Sequence, residues 1–124
     1  MHDKVQPVYV LNQGTSTSVS RDFKFIPYNT PTSAGGTITL HTVSAKKRFY
    51  LVYFLNGNSM GASTIFILRD GTGVTKCSIR NEADGVEHAL TFPIPLEFTS
   101  HLVIADGGAL IGHAGIAIGY EQDL

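Results

Sequence analysis

The feature that most constrains the fold is the spacing of turn residues along the chain. Clusters of Gly, Pro, Asn and Asp recur roughly every 8–14 residues, and the segments between them are rich in Val, Ile, Thr, Phe and Tyr. No segment of about 10–12 residues shows the apolar spacing of an amphipathic helix. The sequence therefore predicts an all-β protein, an antiparallel jelly-roll-like β-sandwich of about 8–9 strands.

The turn signals also set the expected strand bounds. Pro27 and Pro93 are expected to end strands, because proline has no N–H to donate to a ladder. The segments at 56–59 and 70–73, each with Gly directly after Asn or Asp, predict tight turns. The nine predicted strands cover residues 5–11, 19–26, 37–43, 48–55, 63–69, 74–80, 86–92, 101–105 and 114–120.

The chain length predicts one domain. With 124 residues the chain is too short for two separate cores, and a domain of this size buries roughly two-thirds of its unfolded surface. We expect residues 1–124 to form a single jelly-roll domain. Residues 1–11, which contain Pro7, are expected to form an N-terminal edge strand or an arm onto a neighbour.

Charge and cysteine content argue against several classes of function. Nine Lys and Arg against ten Asp and Glu give a formal net charge of −1, so no nucleic-acid partner is expected. The longest apolar run, at 49–55, is too short to span a bilayer as a helix, and no membrane role is expected. Cys77 is the single cysteine, which excludes an intrachain disulfide and suits a reducing compartment.

Two predicted strands are apolar on both faces, at 49–55 and 65–68. One face of each would fill the core, and the other would need cover from a loop of the same chain or from a neighbouring subunit. On the last strand, Gly115, Ala117 and Gly119 form a small-residue face that permits close approach of another layer or another chain. The predicted interface residues are Tyr50, Val52, Phe54, Phe66, Leu68 and Tyr120. The residues that alternate with them along these strands are expected in the core.

No catalytic, cofactor-binding or metal-binding residues are predicted. The five histidines lack the spacing that places two imidazoles on one metal, and no His-x-His motif of a cupin is present. Asp70, Asp84 and Asp106 each precede a glycine, which is typical of turns. The sequence thus favours a non-enzymatic protein. Two alternatives stay open: a receptor- or carbohydrate-binding β-sandwich module, which could use exposed tyrosines, and an atypical cupin-like enzyme.

The part of the chain at 64–121 resembles small jelly-roll structural proteins of tailed-bacteriophage virions. The resemblance is carried by a strand ending in Asp70-Gly71, by the Phe-Pro-Ile-Pro-Leu-Glu-Phe corner at 92–98, by the strand at 101–105 and by the final Ile118-Gly119-Tyr120-Glu121. Such proteins usually have glycine where this chain has Ser100-His101.

The resemblance implies a capsid decoration or accessory protein. Its implied partners are further copies of itself, in a homotrimer, and the major capsid protein or another virion protein. Its implied location is the virion, assembled in the host cytoplasm.

Overall fold

A computed structural model of the chain describes residues 21–31, 36–58, 64–81, 87–106 and 112–124. The predicted first strand at 5–11, and with it the proposed arm at 1–11, lies outside the described residues. Every regular element in the described part is a strand. In chain order these are β1 (Asp22–Pro31), β2 (Thr37–Thr42), β3 (Lys47–Asn58), β4 (Thr64–Asp70), β5 (Val74–Asn81), β6 (Glu87–Phe98), β7 (His101–Asp106) and β8 (Gly112–Asp123).

The strands form two antiparallel sheets of four strands each. The first sheet has the order β1-β8-β3-β6 and the second has the order β2-β7-β4-β5. Apart from the β4–β5 hairpin, each described strand is followed by one in the opposite sheet. This is the strand order of a jelly roll, and it confirms the predicted antiparallel β-sandwich.

The core lies between the two sheets and corrects part of the predicted interface. Phe54 and Leu68, both predicted at the interface, are fully buried in this core. In β3 the register shifts between Leu51 and Tyr53, so the strict alternation expected from the sequence reverses there. In β4, Leu68 points into the core, whereas it was predicted to point outward. The buried core cluster comprises Val43, Phe49, Leu51, Phe54, Leu68, Ile79, Phe98, Leu102, Ile104 and Ala117.

Two predicted strand ends were wrong because the strands lie at sheet edges. β1 continues through Pro27 to Pro31, and β6 continues through Pro93 to Phe98. Both are edge strands of the first sheet, where a missing N–H need not cost a ladder bond. Asn56, predicted in a turn, instead lies buried within β3.

The small-residue face of β8 points into the molecule. A Cβ at Gly115 would lie 1.8 Å from the carbonyl oxygen of Leu55, and one at Gly119 would lie 2.5 Å from the Phe49 ring. Ala117 between them is fully buried. The nearest atoms that crowd both glycines belong to β3, the neighbouring strand of the same sheet, so these positions allow close approach of a strand of the same chain.

Candidate interaction surface

The outer face of the first sheet carries three apolar rows, which we call the apolar face. Cross-strand register aligns residues of β1, β8 and β3 that point away from the core. The rows end at Glu97, Thr91 and Ala89 on β6. The apolar face consists of the rows Phe23–Tyr120–Tyr50, Phe25–Ile118–Tyr53 and Pro27–Ile116–Leu55.

The exposed part of this face was not found from the sequence. Phe25 is 67% exposed and Phe23 is 54% exposed, both on the edge strand β1. The signal was present, because β1 carries apolar residues on both faces. Phe23 and Phe25 lie within the predicted strand 19–26, but only the strands at 49–55 and 65–68 were predicted to be apolar on both faces.

The predicted residues Tyr50, Val52 and Tyr120 do lie outside the core cluster. Tyr120 is largely covered by its own chain, with the rings of Phe23 and Tyr50 each 5.3 Å from it, centroid to centroid, and Arg21 4.9 Å above it. Tyr50 and Val52 are half-buried. The side chain of Phe66 lies outside the described part.

The other edge of the first sheet presents an apolar projection. Ile94, in β6, is 85% exposed and stands between Pro93 and Pro95. The β3–β6 pairing skips from Leu51–Leu96 to Tyr53–Thr91, so this segment protrudes from the ladder. Its two prolines cannot donate hydrogen bonds to an added strand.

The outer face of the second sheet has a different character, and we call it the polar face. One row runs Thr39, Val103, Arg69 and Thr75 across the sheet, and the next runs Thr37, Ala105, Ile67 and Ser78. Hydroxyl and guanidinium groups therefore flank a narrow apolar strip. His101 lies at the same end of this face as Gly71 and Thr72, which follow β4.

A buried carboxylate, Glu121 of the first sheet, joins the two sheets. It accepts hydrogen bonds from the Ser44 amide at 3.0 Å, from the Ser44 hydroxyl at 2.8 Å and from His41 Nε2 at 2.7 Å. Burial opposes the charged form, but these bonds outweigh it and lower the pKa of Glu121. Because His41 belongs to β2, the contact fixes one sheet against the other.

Asp70, at the end of β4, holds the turn between β6 and β7. It accepts hydrogen bonds from the Thr99 amide at 2.8 Å, the Ser100 amide at 2.9 Å and the His101 amide at 3.2 Å. Burial again opposes the charge, and the hydrogen bonds again lower the pKa of Asp70 overall. Asp70 was predicted to have a structural role in a turn, and its carboxylate accepts hydrogen bonds from the backbone amides of the turn between β6 and β7.

A polar group also lies inside the sandwich. The Tyr28 hydroxyl oxygen lies 2.8 Å from Asn56 Oδ1 and 2.9 Å from the Leu55 carbonyl oxygen, and its proton is shared between these two acceptors. His113 Nδ1 lies 3.1 Å from the same Asn56 oxygen. Burial raises the pKa of Tyr28 far above its usual range. These contacts connect β1, β3 and β8 and give partners to the Tyr28 hydroxyl and to Asn56 Oδ1, whereas Asn56 Nδ2 is buried without a hydrogen-bond partner among the described residues.

The serine, histidine and acid groups do not form a hydrolytic triad. Ser100 Oγ lies 2.5 Å from His101 Nδ1, but Asp70 contacts only the backbone amide of His101. Among the described residues, no group of three or more His, Cys, Asp or Glu side chains is placed to hold a metal ion. Within the same residues, no helix is long and apolar enough to cross a membrane.

No family model and no curated protein matches this chain. Among solved structures it is similar to a protein of Bacillus endospore appendages, which are described as a novel family of disulfide-linked pili. The TM-score is 0.51 at 14% identity, and the match covers 85% of this chain and 91% of that chain. At this identity the likeness concerns the fold alone. Cys77, the single cysteine here, is packed against the core, and burial raises the pKa of its thiol.

Proposed function

We propose that this protein is a non-enzymatic structural subunit that assembles with further copies of itself through the apolar face. The observation that carries the proposal is the set of three apolar rows on the outside of the first sheet. One face of an antiparallel sheet normally meets water and is polar, as the second sheet illustrates. An apolar outer face is instead typical of a surface that another protein covers.

The size of the apolar face indicates what kind of contact it can make. Strand and residue spacings give this patch an area of roughly 300 Å². A stable interface buries about 800 Å² on each partner, so this patch alone is too small for a tight two-fold dimer. Each copy must therefore contribute a second surface.

Ile94 is the best candidate for that second surface. It lies on β6, at the opposite edge of the first sheet from Phe25 on β1, so the two cannot meet within one chain. Ile94 of one copy against Phe25 of the next makes a head-to-tail contact, which generates closed rings or open filaments. Prolines in both edge strands disfavour the competing arrangement, in which sheets would join edge to edge.

The finer proposal is a closed ring of three that decorates a tailed-phage virion. It rests on the resemblance of residues 64–121 to small jelly-roll virion proteins. The same head-to-tail contact would form a filament if it did not close. The fold likeness to a protein of pili makes that the second arrangement to test.

Light scattering on the purified chain tests the assembly. The expected mass is three times 13.4 kDa for a closed trimer, whereas a mass that grows with concentration indicates a filament. Phe25→Ser and Ile94→Ser are each expected to shift the mass to that of one chain.

Val74→Ser is the matched control, because Val74 is 54% exposed but belongs to the second sheet. Its mass should equal that of the wild type. A wild-type monomer at every concentration would contradict self-assembly. If Ile94→Ser had the same mass as the wild-type trimer, the head-to-tail contact through Ile94 would be contradicted, whereas assembly through the apolar face would not.

A further inference from the structure

A groove lies on the polar face and is independent of the apolar face. Its volume is about 230 Å³. This is below the roughly 300–1,000 Å³ of sites for drug-sized ligands, and suits a single small ring. The groove is lined by Thr37, Thr39, Arg69, Gly71, Thr72, His101 and Val103.

Arg69 gives the groove its charge. Its Nη1 donates to the Thr72 carbonyl oxygen at 3.3 Å, a contact that positions the side chain and leaves its other N–H groups for further partners. No acid lines the groove, and in the described part of the chain no carboxylate forms an ion pair with Arg69. A planar guanidinium at a groove wall is suited to a carboxylate, which it can bind with two parallel hydrogen bonds.

The remaining lining suits a polyhydroxylated ligand. Hydroxyls of Thr37, Thr39 and Thr72 both donate and accept, as sugar hydroxyls do. Val103 between them is nearly buried and offers an apolar floor for the C–H face of a ring. Ser100 contacts Nδ1 of His101, so the Nε2 side of this imidazole is the one left to face a ligand.

We propose that this groove binds a carboxylate-bearing sugar, with Arg69 on the carboxylate, the threonines on the hydroxyls and Val103 beneath the ring. Strands β2, β7 and β4 are paired with one another and carry all of these side chains except that of Thr72, which follows β4. The proposal stands apart from self-assembly, because the two surfaces lie on opposite sheets.

Amide chemical shifts of the isotope-labelled full chain provide the test, with glucuronate, glucose and acetate as probes. Glucuronate should shift the amides of Thr39, Arg69 and Val103 in a saturable way, at lower concentration than either glucose or acetate. Arg69→Gln should weaken glucuronate binding about tenfold or more, the loss expected for a hydrogen bond to a charged group. Arg80→Gln is the matched control, because Arg80 is exposed on the same face but does not line the groove.

Three results would overturn the proposal. The first is the absence of saturable shifts with glucuronate in the wild type. The second is equal binding by Arg69→Gln and Arg80→Gln, both with native-like spectra. The third is an acetate affinity equal to that of glucuronate, since the sugar hydroxyls would then contribute nothing.

Discussion

The two outer faces of the sandwich are built alike and differ in chemistry. Each belongs to a four-stranded antiparallel sheet with one side on a shared core. The first sheet turns Phe25, Ile118 and Tyr53 outward in one row, whereas the second turns Thr39, Val103 and Arg69 outward. The fold needs only the inner faces, so the outer faces are free to serve binding.

The difference indicates which surfaces of the described part of the chain should be tested first for a binding function. The polar face carries hydroxyl and guanidinium groups beside its apolar strip, and Arg69, at the groove, forms no ion pair within the described part of the chain. The apolar face departs from the polar surface usual for a sheet in water over three successive rows. A departure of that extent has a cost in solubility, which self-assembly would remove.

The largest expected effect separates the core from the apolar face. Phe54→Ala should lower the free energy of unfolding by about 3–5 kcal/mol, because a fully buried ring leaves a cavity. Phe25→Ala should change the stability of the isolated chain by only about 0.5 kcal/mol, since most of its ring already meets water. Urea denaturation at low protein concentration measures both. Similar losses for the two variants would mean that Phe25 is part of the core.

A smaller effect is expected at Glu121, whose contact with His41 joins the first sheet to the second. Glu121→Gln should lower the free energy of unfolding by about 2–3 kcal/mol at neutral pH. The reason is that His41 and Ser44 would no longer form hydrogen bonds to a charged carboxylate. The control is Asp123→Asn, which removes an exposed carboxylate two residues further along β8 and should cost at most about 1 kcal/mol.

The pH dependence of that loss has a definite sign. The folded pKa of Glu121 lies below its ordinary value of 4.5, whereas the unfolded chain takes the ordinary value. The stabilisation is therefore present above about pH 4.5 and is lost as the pH falls through the lower folded pKa. His41, Ser44 and the nearby charge of Lys24 surround the group. An unfolding difference between variant and wild type that stays constant down to pH 2 would contradict this assignment.

The smallest effect is expected on the polar face. Thr39→Ala should change the free energy of unfolding by no more than about 0.5 kcal/mol and should leave the solution mass equal to that of the wild type. Thermal unfolding and light scattering measure these two quantities. A change of mass would mean that the polar face contacts a second copy, which would contradict the proposed division of roles between the two faces.

Prediction from the sequence succeeded where local chemistry decides. The Asp70-Gly71 turn was predicted from composition, and Gly71 adopts a positive φ of 66° there. Prediction failed where position in the sheet decides. Pro27 and Pro93 are tolerated because their strands lie at edges, and edge positions follow from topology.

The interface prediction shows the same division. That β3 carries apolar residues on both faces can be read from its composition. Which of them point inward cannot, because one register shift between Leu51 and Tyr53 exchanges the two faces. Phe54 thereby becomes a core residue, and the assignment of Tyr50 and Val52 to an interface stays a prediction.

The sequence by itself determined the all-β class, the Asp70-Gly71 turn and the low charge of this protein, because propensity and turn chemistry act over a few neighbouring residues. Only the tertiary structure decided which face of each strand is buried, and it did so by pairing residues far apart in the chain. It also placed Glu121 against Ser44 and Arg69 beside Thr39. Those juxtapositions depend on the sheet order, which no local pattern encodes.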